Sequence, residues 1–201
     1  MSRPLDVLQN EIRKSEGFRL TSESLLKRSL IKKGEIDYIY EMIFLSLLVE
    51  LENYIEDIII EMMCGSHVPV ACNFHRRIVF RSSIVAREAL YGGLGYTNLL
   101  PIDRAIVKAK IFFRGGRPFS LIGDDEKKIL SFLHAIRNCI AHKSRSSIIS
   151  FERELSKRHT LPPSQRTPAR YLRSGFSARR TRYEVEIGNL LGIVRKLDWG
   201  S

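Results

Sequence analysis

The chain has 201 residues, and its 33 Lys and Arg against 22 Asp and Glu give a formal net charge of +11. This length fits one domain, or one domain with an appendage, and can bury a core without a disulfide or a metal as a staple. Three cysteines outside any CxxC pair, an N-terminus without the apolar stretch of a signal peptide, and apolar runs well short of the roughly 20 residues of a membrane span together predict a cytoplasmic protein with reduced thiols and no membrane partner.

Two short helices are predicted before residue 35. Apolar residues at 5, 8 and 12 give helical spacing to residues 5–13, and Gly17 is expected to end this helix. A second helix is predicted to begin at Thr21 or Ser22, which are good N-caps, and to reach residue 31. We interpret residues 1–34 as an N-terminal helical extension.

Residues 35–63 give the strongest helical pattern in the chain. Apolar residues recur at helical spacing throughout, and Gly65 follows as a candidate C-cap. Such a helix can form the spine of a bundle or line a subunit interface. The acidic residues at 50, 52, 56, 57 and 61 mostly lie away from the apolar stripe, so we interpret them as a solvated face rather than as catalytic carboxylates.

The middle of the chain predicts two more helices, over residues 74–90 and 103–113. The glycines at 92, 93 and 95 break the first helix and do not form a phosphate loop, because no Gly-Lys-Ser/Thr follows them. Residues 114–118, Arg-Gly-Gly-Arg-Pro, predict a turn, with phosphate contact as the less favoured alternative.

A helix is predicted from residue 123 through Ile140, and its acidic first turn suits the positive end of the helix dipole. Residues 144–147 are a plausible exit. Residues 158–182 are rich in Pro, Ser and Arg and predict a basic loop or insertion, and residues 184–197 predict a closing helix. No segment shows convincing strand alternation. The fold class is therefore all-α, a bundle of four to five main helices with a basic Pro/Arg-rich loop before the last one.

Residues 137–142 carry the densest chemical content, with the sequence Arg137-Asn138-Cys139-Ile140-Ala141-His142. Arginine is a permanent cation with a planar donor fork that matches phosphate, and histidine exchanges protons near neutral pH. From residue 137 onward, 14 Lys and Arg stand against 5 Asp and Glu. This excess is either a solvated basic surface or a field that attracts nucleic acid, and the nearby motif favours nucleic acid.

The spacing constrains how Arg137 and His142 can cooperate. Residues five apart on an ideal helix lie about 140° apart around its axis. The two side chains can converge if the helix loosens near His142, or if two copies of the chain meet. His134, Asn138 and His142 share a face, so Asn138 is expected to orient the His142 ring or to cap a backbone group.

A structural interpretation competes with the catalytic one. Arg137 and His142 can simply cap and pack the end of a helix, His134 is better explained as a packing or hydrogen-bonding residue, and Cys139 as a small core residue. The remaining histidines are scattered, and no Cys/His spacing typical of a metal site occurs, so no metal and no cofactor is expected.

The hexapeptide resembles the Arg-Asn-x-x-Ala-His form of the Arg-x4–6-His motif of HEPN domains, small helical modules that include metal-independent ribonucleases of toxin and antiviral systems. The long helix, around residues 48–57, also looks like the opening core helix of HEPN domains associated with RiboL-PSP-type and other defence proteins. The resemblance implies an HEPN-like domain over residues 35–201. It also implies catalytic roles for Arg137 and His142 and a supporting role for Asn138.

One departure from the family concerns regulation. HEPN toxins controlled by a partner nucleotidyltransferase often carry a tyrosine two residues after the motif histidine, where it accepts a nucleotide. Here Lys143 and Ser144 follow His142, so that mode of control is not expected.

The leading hypothesis is a metal-independent endoribonuclease that cleaves RNA by attack of the 2′-OH, acting as a toxin or antiviral defence effector. A homodimer is expected, because it supplies a second acid/base group, and an antitoxin or another defence-system protein is a further expected partner. RNA contacts are predicted at Lys143, Arg145, Arg179 and Arg180. The alternatives are a non-catalytic RNA-binding or dimerisation module with the same fold, and, less favoured, a DNA-binding regulator, for which no clear helix-turn-helix unit is visible.

Overall fold

The computed structural model describes residues 3–69 and 73–199, except for the side chain of Trp199. Within these residues the chain forms eight α-helices: α1 (Pro4–Lys27), α2 (Lys33–Cys64), α3 (Ser83–Tyr91), α4 (Asp103–Phe112), α5 (Asp124–His142), α6 (Arg145–Arg158), α7 (Pro168–Arg173) and α8 (Arg182–Trp199). Five of them have 14 or more residues. The predicted all-α class is therefore confirmed.

Short elements join the helices. Single turns of 3-10 helix span Arg114–Gly116, Phe119–Leu121 and Pro163–Gln165. Strands β1 (Gly175–Ser177) and β2 (Arg180–Thr181) form an antiparallel hairpin in which Gly175 is opposite Thr181 and Ser177 is opposite Arg180. In the described ranges, no helix combines the length and the apolar character needed to cross a membrane.

The described chain divides into two compact units. The first unit comprises residues 3–7, 51–69, 73–131 and 190–199, and the second unit comprises residues 8–50 and 132–189. The proposed division into an extension over 1–34 and a domain over 35–201 stays a prediction.

The N-terminal helices predicted over 5–13 and 21–31 are wrong, because α1 is one continuous helix. It passes through Gly17 without a break. Ser15, Arg19 and Ser22 are buried on both sides of this glycine, and the Ser22 hydroxyl donates to the Phe18 carbonyl over 2.8 Å. These contacts outweigh the intrinsic cost of a helical glycine, which is about 1 kcal/mol.

Helix α2 matches its prediction closely. Gly65 follows it with φ +85°, and the Gly65 N–H donates to the Glu61 carbonyl over 2.9 Å. The Ser66 N–H donates to the same carbonyl over 3.0 Å. Glycine suits this position because it adopts a left-handed conformation without a Cβ penalty.

The helix predicted over 74–90 is half wrong, since only Ser83–Tyr91 is helical. Residues 74–77 instead run beside the end of α4. There the Arg77 N–H donates to the Phe112 carbonyl, and the Arg114 N–H donates to the His75 carbonyl, each over 2.8 Å. The Phe74 ring packs 5.1 Å from the Phe113 ring, so tertiary aromatic contact overrides the local pattern.

Residues 144–147 begin a helix rather than only leaving one. Lys143 turns the chain with φ +48°, and Ser144 then caps α6. Its hydroxyl accepts from the Ser147 N–H over 3.2 Å, while the Ser147 hydroxyl accepts from the Ser144 N–H over 3.1 Å. This reciprocal cap satisfies N–H groups that the first turn leaves without helical partners.

The basic segment 158–182 is more ordered than the predicted loop. It contains α7 and the β1–β2 hairpin, and Tyr171 and Leu172 of α7 are fully buried. The Tyr171 hydroxyl donates to the buried Glu186 carboxylate over 2.7 Å, and the Tyr171 ring lies edge-on 5.2 Å from Phe132. These contacts anchor the segment in the core of the second unit.

Candidate functional site

Helix α5 presents the motif on one continuous polar arc. The buried side chains of its last three turns occupy one side of the helix and belong to Phe132, Leu133, Ala135, Ile136, Cys139 and Ile140. At about 100° per residue, the less buried residues span an arc of about 140°, with Arg137 at one edge and His142 at the other. Ala141, small and exposed, lies between these two edges.

Arg137 and Asn138 belong to a local hydrogen-bonded group. The Arg137 Nη1 donates to the Asn138 Oδ1 over 3.2 Å, and the Asn138 Nδ2 lies 3.3 Å from the His134 Nε2. With the amide nitrogen directed at His134, that ring nitrogen acts as the acceptor. Asn138 thus fixes the guanidinium and the His134 ring, and no hydrogen bond joins it to His142 in the described chain.

His142 ends α5 with its side chain exposed. No hydrogen bond or ion pair joins the imidazole to another residue within 3–69 and 73–199. The helix does not loosen before it, because the Lys143 N–H still donates to the Cys139 carbonyl over 3.1 Å. Arg137 and His142 of one chain therefore face different directions, and the loosening considered from the sequence does not occur.

The predicted RNA-contacting residues lie at two places in the second unit. Lys143 and Arg145 flank the turn that follows His142, and Arg179 and Arg180 lie at the β1–β2 hairpin. All four are exposed. The Lys143 ammonium lies 3.2 Å from the Glu41 carboxylate, a pairing that the sequence did not indicate.

A cleft of about 290 Å³ lies beside the motif helix. Cys139 and Lys143 of the motif region contribute to its lining, together with Glu41 from α2 and Arg166 and Thr167 from the segment before α7. Burial raises the pKa of the Cys139 thiol, which disfavours the nucleophilic thiolate. This agrees with the interpretation of Cys139 as a core residue.

Metal-ligating side chains do not cluster in the part of the chain that the structure describes. No group of three or more His, Cys, Asp and Glu there lies close enough to hold a metal ion. Arg137 and His142 are thus the described groups on the motif arc suited to phosphate contact and proton transfer.

Comparisons of the chain with protein-family models, with curated proteins and with solved structures found no match.

Proposed function

We propose that the protein is a metal-independent endoribonuclease that acts in the cytoplasm as a toxin or antiviral defence effector. The observation that supports this most is the polar arc of α5, on which an exposed histidine, His142, and an arginine held by Asn138 occupy opposite edges. The chain around them is strongly basic, which favours a polyanionic substrate. The hexapeptide's resemblance to HEPN domains points the same way.

The proposed reaction is an internal phosphoryl transfer in RNA. The ribose 2′ oxygen forms a bond to the adjacent phosphorus as a histidine removes its proton, and the bond from phosphorus to the 5′ oxygen breaks. An acid returns a proton to that leaving oxygen, which gives a 2′,3′-cyclic phosphate and a 5′-hydroxyl. Arg137 holds the non-bridging oxygens, where negative charge builds up. DNA lacks the 2′-OH and cannot react in this way.

Two copies of the chain are proposed to build the site. Because α5 is regular up to His142, one copy directs Arg137 and His142 to different sides of the helix. A symmetric pairing of polar arcs brings Arg137 of one protomer to His142 of its partner. Ala141, between them, is small enough to allow a close approach. The pairing also supplies two histidines, one as base and one as acid.

The basic residues near the motif and at the hairpin are proposed to hold the RNA backbone. Lys143 and Arg145 directly follow His142, and Arg179 and Arg180 extend from the hairpin into solvent. Contacts of this kind position a strand through its phosphates and carry no sequence information. An antitoxin or another defence protein is proposed as the partner that restrains the activity.

We expect the purified protein to cleave mixed RNA equally well with Mg²⁺ and with excess EDTA. Its products should end in 2′,3′-cyclic phosphate or in the 3′-phosphate derived from it, and single-stranded DNA of matched sequence should stay intact. Gel analysis with end-specific enzymatic treatment measures each point. Cleavage that stops in EDTA, or that leaves 5′-phosphate ends, would contradict the proposed chemistry.

The 140° separation within one chain also fits a second candidate, a non-catalytic RNA-binding or dimerisation module. This alternative predicts RNA binding that depends on salt, with no cleavage at any protein concentration. The same RNA incubation distinguishes the two functions, provided that a binding assay runs beside it.

A further inference from the structure

A cleft of about 350 Å³ lies in the first unit, where residues 73–75 meet the turn after α4. Five residues line it, namely Asn73, His75, Arg114, Gly115 and Arg117. All but glycine contribute a polar or charged side chain, and none is an aspartate or a glutamate. The sequence offers this turn only as a less favoured site of phosphate contact, and the structure supplies the other wall of the cleft.

The walls of the cleft rest on a fixed base. The backbone bonds from Arg77 to Phe112 and from Arg114 to His75, both 2.8 Å, tie the two segments together. Below them the Phe113 ring is fully buried and packs 5.1 Å from the Phe74 ring. Asn73 and His75 therefore stay in place opposite the turn that carries Arg114.

Two glycines shape that turn. Gly116 has φ +71°, and a Cβ there would lie 2.8 Å from the Lys110 side chain and 3.4 Å from the Ile106 carbonyl. Gly115 has φ +68° and open space around it. The turn thus closes tightly at Gly116, while Gly115 leaves its backbone uncovered on the cleft, between the two arginines.

The cations of the cleft are uncompensated. No ion pair or side-chain hydrogen bond joins Arg114, Arg117 or His75 to any residue within 3–69 and 73–199. By contrast, Arg87, which lines another cleft of this unit, lies 3.1 Å from carboxylates of both Glu56 and Asp57. Two guanidinium groups that share a concave site without a counter-charge favour an anion.

We propose that this cleft binds a phosphate group. The planar fork of arginine matches tetrahedral phosphate oxygens, and the Asn73 amide and the His75 ring can supply further donors. The lining has no apolar side chain to hold a base, so recognition rests on the phosphate and not on base identity. The proposal does not depend on the ribonuclease function, because the cleft lies outside α5.

The test uses the full chain and the variant Arg114→Gln/Arg117→Gln. Its matched control is Arg81→Gln/Arg195→Gln, which removes the same charge from exposed positions of the same unit outside the cleft. Calorimetry measures binding of pyrophosphate. Fluorescence anisotropy measures a short oligothymidylate with and without a 5′-phosphate, a probe that lacks the 2′-OH and stays intact.

We expect the cleft variant to bind its phosphate ligand about tenfold more weakly or worse, as for loss of charge-assisted hydrogen bonds, while the control stays close to wild type. A loss seen with pyrophosphate identifies a free phosphate compound as a ligand. A loss seen only with the 5′-phosphorylated strand identifies a strand end, and an equal loss with both strands identifies the backbone.

Equal affinity of wild type and the cleft variant for all three probes would overturn the proposal. An equal loss in the cleft variant and in the control would also overturn it, because net charge alone would then explain binding. Thermal melting of each protein establishes that it is folded, and the single variants Arg114→Gln and Arg117→Gln repeat the test with a smaller change.

Discussion

The His142→Ala protein is expected to cleave RNA about 100- to 10,000-fold more slowly than wild type, the usual effect of losing a general acid or base. Its helix content and melting temperature should change little, because the imidazole is exposed and has no hydrogen bond to the described chain. Initial rates on a defined single-stranded RNA, beside circular dichroism, measure both effects.

The matched control is Lys128→Ala, which removes another exposed polar side chain from α5 away from the motif. We expect its cleavage rate to stay near that of wild type. Arg137→Ala should be as inactive as His142→Ala, and Arg137→Lys should not restore full activity, because an ammonium lacks the planar fork. A folded His142→Ala protein that cuts RNA at the wild-type rate would contradict the catalytic assignment.

Arg19→Ala is expected to lower the free energy of unfolding by about 2–4 kcal/mol, since it removes the centre of a largely buried ionic group. Arg19 is 4% exposed, and its guanidinium contacts Glu16 over 2.7 Å and Glu184 over 2.9 Å. It also lies 5.7 Å from the centre of the Tyr183 ring. Urea unfolding followed by circular dichroism measures the change.

Arg13→Ala is the control for this prediction. Arg13 lies on the same helix, is exposed, and makes only one printed-range contact, a 3.4 Å bond to the Gln9 carbonyl. Its replacement should change the free energy of unfolding by less than about 0.5 kcal/mol. Equal effects of the two variants would show that the buried group does not hold α1 in the second unit.

The sequence predicted α2, α5 and α8 well because each one repeats apolar residues at helical spacing over many turns. It was wrong where distant residues decide the structure. Gly17 does not end α1, because Arg19 binds groups far along the chain. Residues 74–77 are not helical, because Phe74 packs against Phe113. No local pattern carries such information.

The candidate site shows the same division between local and distant effects. The polar arc of α5 follows from the positions of its apolar residues, and the capping box that begins α6 was readable in Ser144 and Ser147. The pairing of Lys143 with Glu41 was not, since it joins residues about 100 positions apart. The bonding of Asn138 to His134 depends on side-chain rotamers, which spacing alone does not determine.

Two inactive variants, mixed, test the central claim that Arg137 of one protomer acts with His142 of its partner. In a mixed dimer of Arg137→Ala and His142→Ala chains, one of the two sites retains both an intact arginine and an intact histidine. The other site lacks both.

The account predicts that unfolding and refolding the two variants together restores RNA cleavage to a substantial fraction of the wild-type rate, while each variant refolded alone stays inactive. Differently tagged chains, captured through one tag and detected through the other, verify that mixed dimers form. Mixed dimers that form and still leave RNA uncut would contradict the account.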